Sequence, residues 1–125
     1  MKVIERGAAA VVRVRALFEK ASENPVVGML VRNRLGVDVF GTNTRVEGRE
    51  LGRVEAGEEI EVEFRFACSL AGHEYTLTAA TQNWDGTSQD WLDDVLSFRV
   101  TDRRAVAGVA SLPVEVRVRK AVRKN

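Results

Sequence analysis

One cysteine, Cys68, and one histidine, His73, stand in 125 residues, with two prolines and 6% aromatic residues. A lone cysteine excludes an intramolecular disulfide and fits a reducing, cytoplasmic setting. A lone histidine removes multi-histidine metal centres and leaves any His-centred triad hanging on one side chain. No run approaches the roughly 20 apolar residues of a membrane helix, and the N-terminus lacks the basic, apolar and cleavage regions of a secretory signal. Gly-x-Ser-x-Gly, His-Glu-x-x-His and the Walker glycine loop are all missing, so hydrolase, zincin and ATPase chemistry lack their carriers. No repeat, linker or low-complexity segment interrupts the chain. What remains, 45% hydrophobic and 30% charged, reads as one globular domain over 1–125 with a basic, solvated tail at 119–125.

The formal net charge of +1 hides a strong gradient. Residues 66–98 contain no Lys or Arg but hold Glu74, Asp85, Asp90, Asp93 and Asp94, whereas the segment 99–125 is basic. A nucleic-acid binder brings stacking groups and positive charge together. Here both tryptophans fall in the acidic segment, so no nucleic-acid partner is expected.

Period-2 alternation dominates what is there. Ile60, Val62, Phe64 and Phe66 alternate with Glu59, Glu61, Glu63 and Arg65, the pattern of a half-buried antiparallel strand. Val12, Val14, Ala16 and Phe18 alternate with Arg13, Arg15 and Leu17, and Leu96, Phe98 and Val100 with Ser97 and Arg99. Tyr75, Leu77, Ala79 and Thr81 face away from Thr76, Thr78, Ala80 and Gln82. Val114, Val116 and Val118 alternate with Glu115, Arg117 and Arg119 and read as a last strand. Asn33-Arg34-Leu35-Gly36 marks a hairpin, and Glu55-Ala56-Gly57-Glu58 and Ala71-Gly72-His73 mark turns. Helical periodicity is absent except for a single turn around 89–95. Seven or eight short strands with little helix predict an all-β fold, an antiparallel β-sandwich of immunoglobulin or jelly-roll type.

Chemistry-bearing residues are few. His73 in a turn reads as an exposed loop residue rather than a base, and Cys68 after a strand as a small buried hydrophobe. The acidic stretch from Asp85 to Asp94 offers oxygens to a cation, but its spacing is not that of an EF-hand loop. Asp93 and Asp94 equally suit a helical cap or a loop, and no metal or cofactor is expected. Trp84 and Trp91 are more informative. They lie within eight positions, among Gln82, Asn83, Asp85, Gln89 and Asp90. A flat ring beside amides and carboxylates suits a sugar, whose C–H face stacks while its hydroxyls hydrogen-bond; the plain alternative is a ring plugging the end of the sandwich.

Particular words in the sequence then carry a resemblance. Pro25-Val26-Val27-Gly28, Asn33-Arg34-Leu35-Gly36 and Phe40-Gly41-Thr42-Asn43-Thr44 resemble the signature of the C-terminal domain of Wzt-type proteins, the nucleotide-binding subunits of ABC transporters that export O-antigen polysaccharide. Gly72-x-x-Tyr75-x-Leu77-Thr78, Trp84-Asp85, Trp91-x-Asp93-Asp94-x-Leu96-Ser97-Phe98-Arg99-Val100 and Gly108-Val109-Ala110-Ser111-Leu112-Pro113 agree, in order, from about Ala8 to Val118. The resemblance implies a β-sandwich that binds the exported glycan, often by a modified non-reducing end, and a homodimer formed by exchange of a C-terminal strand. It also implies an ATPase domain N-terminal to this one, not contained in these residues, and membrane subunits at the cytoplasmic face of the inner membrane. Phe40–Thr44 reads as structural, with Gly41 and Asn43 forming a turn or bulge tied by a side chain.

The expected function is non-enzymatic recognition of O-antigen glycan coupled to export. Trp84 and Trp91 would stack on sugar, and Gln82, Asn83, Asp85, Arg13, Arg15 and Arg32 would bind hydroxyls or an acidic substituent. The alternative is a structural dimerisation domain, which predicts both tryptophans buried, where recognition predicts an exposed ring in a concavity. A glycosidase needs carboxylates straddling a cleft, which neighbours in one loop do not supply.

Overall fold

The computed structural model describes residues 1–86 and 88–121, with side chains throughout except at 88 and 90–94. Seven strands follow in order: β1 (Lys2–Glu5), β2 (Ala9–Leu17), β3 (Val26–Asn33), β4 (Asp38–Asn43), β5 (Glu59–Ala67), β6 (Glu74–Gln82) and β7 (Ser88–Thr101). No helix occurs among the described residues. The strands form a five-stranded sheet, β1-β7-β6-β3-β4, and a two-stranded sheet, β2-β5. Neighbours are antiparallel except β1 and β7, which run parallel. This is the expected all-β sandwich.

The alternating residues explain why the layers meet. Val14 and Phe64 from the small sheet pack on Val27 and Met29 from β3. A second cluster gathers Val31, Leu77, Tyr75, Phe98 and Val100 around Cys68, which is buried as expected. Burying each such side chain contributes about 1.5–3 kcal/mol. Tyr75 stacks on Phe98 at 5.6 Å between ring centroids, and its hydroxyl donates to the Ala71 carbonyl at 2.7 Å. That bond lets a phenol sit in the core, and burial pushes its pKa up. His73 is exposed in the preceding turn.

The β3–β4 hairpin forms as its residues dictate. The Asn33 side-chain oxygen accepts the N–H groups of Leu35 and Val37, each at 3.0 Å, and Gly36 takes a positive φ of 78°.

Four features depart from the sequence expectations. Residues 89–95 are strand rather than a helical turn, because Asp90, Trp91 and Leu92 pair with Thr81, Ala80 and Ala79 of β6. β1 had no sequence signal, being four residues long and paired parallel. Leu96 shares the period of buried Phe98 and Val100 yet is 49% exposed, since two strands cannot cover five. Residues 114–118 lie in no strand, and Val114, Val116 and Val118 are 68%, 76% and 77% exposed. A strand requires a neighbouring ladder, and the chain gives this segment none.

Candidate functional site

β6 ends at Gln82, and Asn83–Gly86 turns into β7 with the Gly86 N–H bonded to the Asn83 carbonyl at 2.9 Å and φ of 94° at Gly86. Trp84 and Asp85 occupy the middle of this turn, exposed. Trp84 is 37% exposed. The Arg45 guanidinium lies 5.1 Å from its ring centroid and donates to its carbonyl at 2.6 Å, a cation–π contact with a hydrogen bond fixing its geometry.

Arg45 is delivered by the loop after β4, and the Phe40–Thr44 run shapes that loop. Leu30 lies over Gly41, where a Cβ would meet its Cδ1 at 2.9 Å. The Asn43 side chain accepts the Val46 N–H at 2.8 Å. Thr44 extends the ladder beyond β4: its N–H donates to the Val27 carbonyl at 2.9 Å, and its hydroxyl oxygen accepts the Val27 N–H at 3.2 Å. The run is therefore structural, but only Asn43 ties a turn; Gly41 lies in the β4 ladder opposite Leu30 rather than in a turn or bulge, its missing side chain leaving room for Leu30. Arg45 was missed by sequence reasoning, since its contact with Trp84 spans 39 positions.

Gln82 and Asn83 point to different places. Asn83 lines an open groove of about 690 Å³ between the ends of β2 and β6. Val14, Phe18 and Ala79 supply apolar lining there, and Arg15, Lys20, Ser22 and Gln89 supply polar groups. The Gln89 amide donates to the Asn83 side-chain oxygen at 2.6 Å and to Ser22 at 3.2 Å, closing one end. Gln82 instead lines a smaller depression of about 190 Å³, walled by Leu30, Thr78, Ala80, Asn43 and two glycines, Gly28 and Gly41.

The remaining expected residues are scattered. Arg15 joins Asn83 at the large groove. Arg13 lies on the exposed face of the small sheet, bonded to Glu63 at 3.1 Å and 3.7 Å from Glu61. Arg65, and then Arg13, hold the Glu63 carboxyl below the usual range. Arg32 bonds Asp38 at 3.0 Å and pairs with Thr76, six ladder positions from Gln82 and so about 20 Å away. The Trp91 backbone pairs with Ala80; its side chain lies outside the described residues, as do those of Asp90, Asp93 and Asp94. Among the described residues no cluster of three potential metal ligands exists, and no helix is long and apolar enough to cross a membrane.

A family model, the Wzt C-terminal domain, matches residues 1–112. The chain belongs to that family. A crystal structure described as the C-terminal domain of wzt is similar over 93% of this chain and 73% of that one, with a TM-score of 0.82 and 23% identity. At that identity the likeness carries the fold. No curated protein sequence matches the chain. The Phe40–Thr44 run thus sets the loop that presents Arg45 to Trp84.

Proposed function

We propose that the chain is a non-catalytic carbohydrate-recognition domain of an ABC exporter of O-antigen polysaccharide, acting at the cytoplasmic face of the membrane beside an ATPase and membrane subunits. The observation that carries this reading is the exposed Trp84 ring, held by Arg45 on a turn whose first residue, Asn83, lines the larger groove, although the ring itself is not among the residues that line it. A buried ring would favour a scaffold. A glycan end would lie in the groove, with hydroxyls bonding Asn83, Gln89, Ser22 and Arg15 while Trp84 flanks it at the rim. Open, hydrated grooves of this kind gain little net free energy per contact, so affinity is modest. Family membership and the sandwich fold support the transporter setting.

Calorimetric titration with O-polysaccharide from the source organism tests the reading. Saturable heat with that glycan, and none with an unrelated polysaccharide, is expected; no heat from either contradicts it. A second role, pairing of two copies through the C-terminal segment, is favoured by the exposed alternating valines at 114, 116 and 118.

A further inference from the structure

β1 is lightly secured. It has four residues, Ile4 alone is partly buried, and its one strand neighbour is β7, in parallel. Short elements with few buried contacts open at low cost. Just past β1 the chain is tied again: the Arg6 N–H donates to the Thr101 carbonyl at 2.8 Å, and the Gly7 N–H to the Cys68 carbonyl at 2.7 Å.

Residues 109–112 return to the same corner from the other end of the sequence. Leu70 and Ala110 form an antiparallel bridge, with the Ser111 N–H on the Ser69 carbonyl at 2.6 Å and the Ala71 N–H on the Val109 carbonyl at 2.9 Å. The Arg104 guanidinium donates to the Ser111 hydroxyl oxygen at 2.8 Å and to the Leu112 carbonyl at 2.6 Å. Ser111 itself is 1% exposed.

Asp102 stands between these two tied segments. Its side chain is buried, and its carboxylate accepts the Ser111 hydroxyl and the Arg104 N–H, the latter at 3.0 Å. The Arg6 guanidinium comes to 3.5 Å from the same carboxylate. The Arg6 Nε is buried and makes no hydrogen bond, so its charge is met by Asp102. One carboxylate therefore holds a cation from the β1 side and a hydroxyl from the 109–112 side.

We propose that Asp102 couples the two ends of the domain, so that docking of β1 and closure of residues 109–112 strengthen each other. The attraction between two charges falls steeply when water replaces protein around them. Opening of 109–112 removes the Ser111 cover, wets the carboxylate and weakens its hold on Arg6. Release of β1 takes Arg6 away and leaves a buried carboxylate with less compensating charge, which favours opening of its cover. Both effects have the same sign, and by linkage they have the same size. A pull on either end of the domain is then felt at the other.

Hydrogen exchange followed amide by amide by NMR on the 125-residue protein tests the coupling. Arg6→Met removes the charge and keeps an apolar stem. It should speed exchange at the Ser111 and Ala71 N–H groups about fivefold, the low end of typical coupling between sites. That change is read beyond any change at the β5 amides, which report general loss of stability. Arg6→Lys keeps the charge and should exchange at both amides like wild type. Ser111→Ala should reciprocally speed exchange at the Arg6 N–H. In an Asp102→Asn background, Arg6→Met should add nothing at Ser111 or Ala71. Wild-type exchange at both amides in Arg6→Met, equal effects of Arg6→Lys and Arg6→Met, or an undiminished change in the Asp102→Asn background would each overturn the proposal.

Discussion

Replacing Thr44 by valine keeps the side chain's shape and removes the oxygen that accepts the Val27 N–H. Val27 is 0% exposed and Thr44 4% exposed, so water cannot supply a substitute acceptor. An orphaned buried donor costs about 1–3 kcal/mol. For a chain of this size, where 1 kcal/mol moves the melting temperature by roughly 4 °C, the loss is about 4–12 °C. Thr44→Ser keeps the oxygen and loses one methyl group, about 0.8 kcal/mol. Hydrophobicity alone ranks the variants the other way, with valine the better core residue. Thermal unfolding by circular dichroism and urea titration at pH 7 should therefore place Thr44→Val below Thr44→Ser, with the urea slope unchanged. A valine variant as stable as wild type, or a serine variant equally damaged, would refute the claim that the hydroxyl completes the β3–β4 ladder.

Tyr75→Phe should cost about 1 kcal/mol in urea unfolding, because the Ala71 carbonyl loses its donor while the stack on Phe98 survives. Asp102 is held below the usual aspartate range by the Ser111 hydroxyl, then the Arg104 N–H, with Arg6 and Arg104 adding positive charge. A depressed pKa stabilises the fold above the unfolded-state value of about 3.9 and loses that stabilisation as pH falls through the folded value. Asp102→Asn should therefore be less stable than wild type at pH 7, with the gap shrinking below about pH 4; a constant gap from pH 7 to pH 2 would show that the carboxylate's charge is not the cause.

Much of the fold was legible because one face of most strands is buried and the other is wet. Ile60 to Phe66 declare their orientation residue by residue, whereas in β6 the alternation fails at Thr78, which is buried on the face opposite Tyr75 and Leu77. The first half of β7 was not legible. Its Asp- and Gln-rich residues carry no strand preference, and backbone pairing with β6 makes them extended. Residues 114–118 show the converse: a strand pattern without a strand, since alternation records which face seeks cover and not where the neighbour lies. At the candidate site, the cluster of aromatic and amide residues singled out the Trp84 turn and Asn83, and the structure sets both at the end of β6. Gln82 parts from Asn83 because adjacent residues at a strand end face opposite ways. Arg13 and Arg32 are engaged by Glu63 and Asp38, partnerships that cross strands and depend on register. Arg45 approaches Trp84 from 39 positions earlier in sequence, a contact set by the β4 turn and invisible to any local window.

The most direct measurement is a fluorescence titration of Trp84→Ala against wild type with O-polysaccharide from the source organism, with Arg13→Ala as the control. In this account the exposed Trp84 ring meets the glycan at the rim of the groove, where it supplies a flat apolar stacking face. Wild type and Arg13→Ala should saturate alike, while Trp84→Ala, folded by circular dichroism, should bind at least about tenfold more weakly, a loss of about 1.4 kcal/mol. Equal binding by the folded Trp84→Ala variant, or no response from wild type, would contradict recognition at this turn.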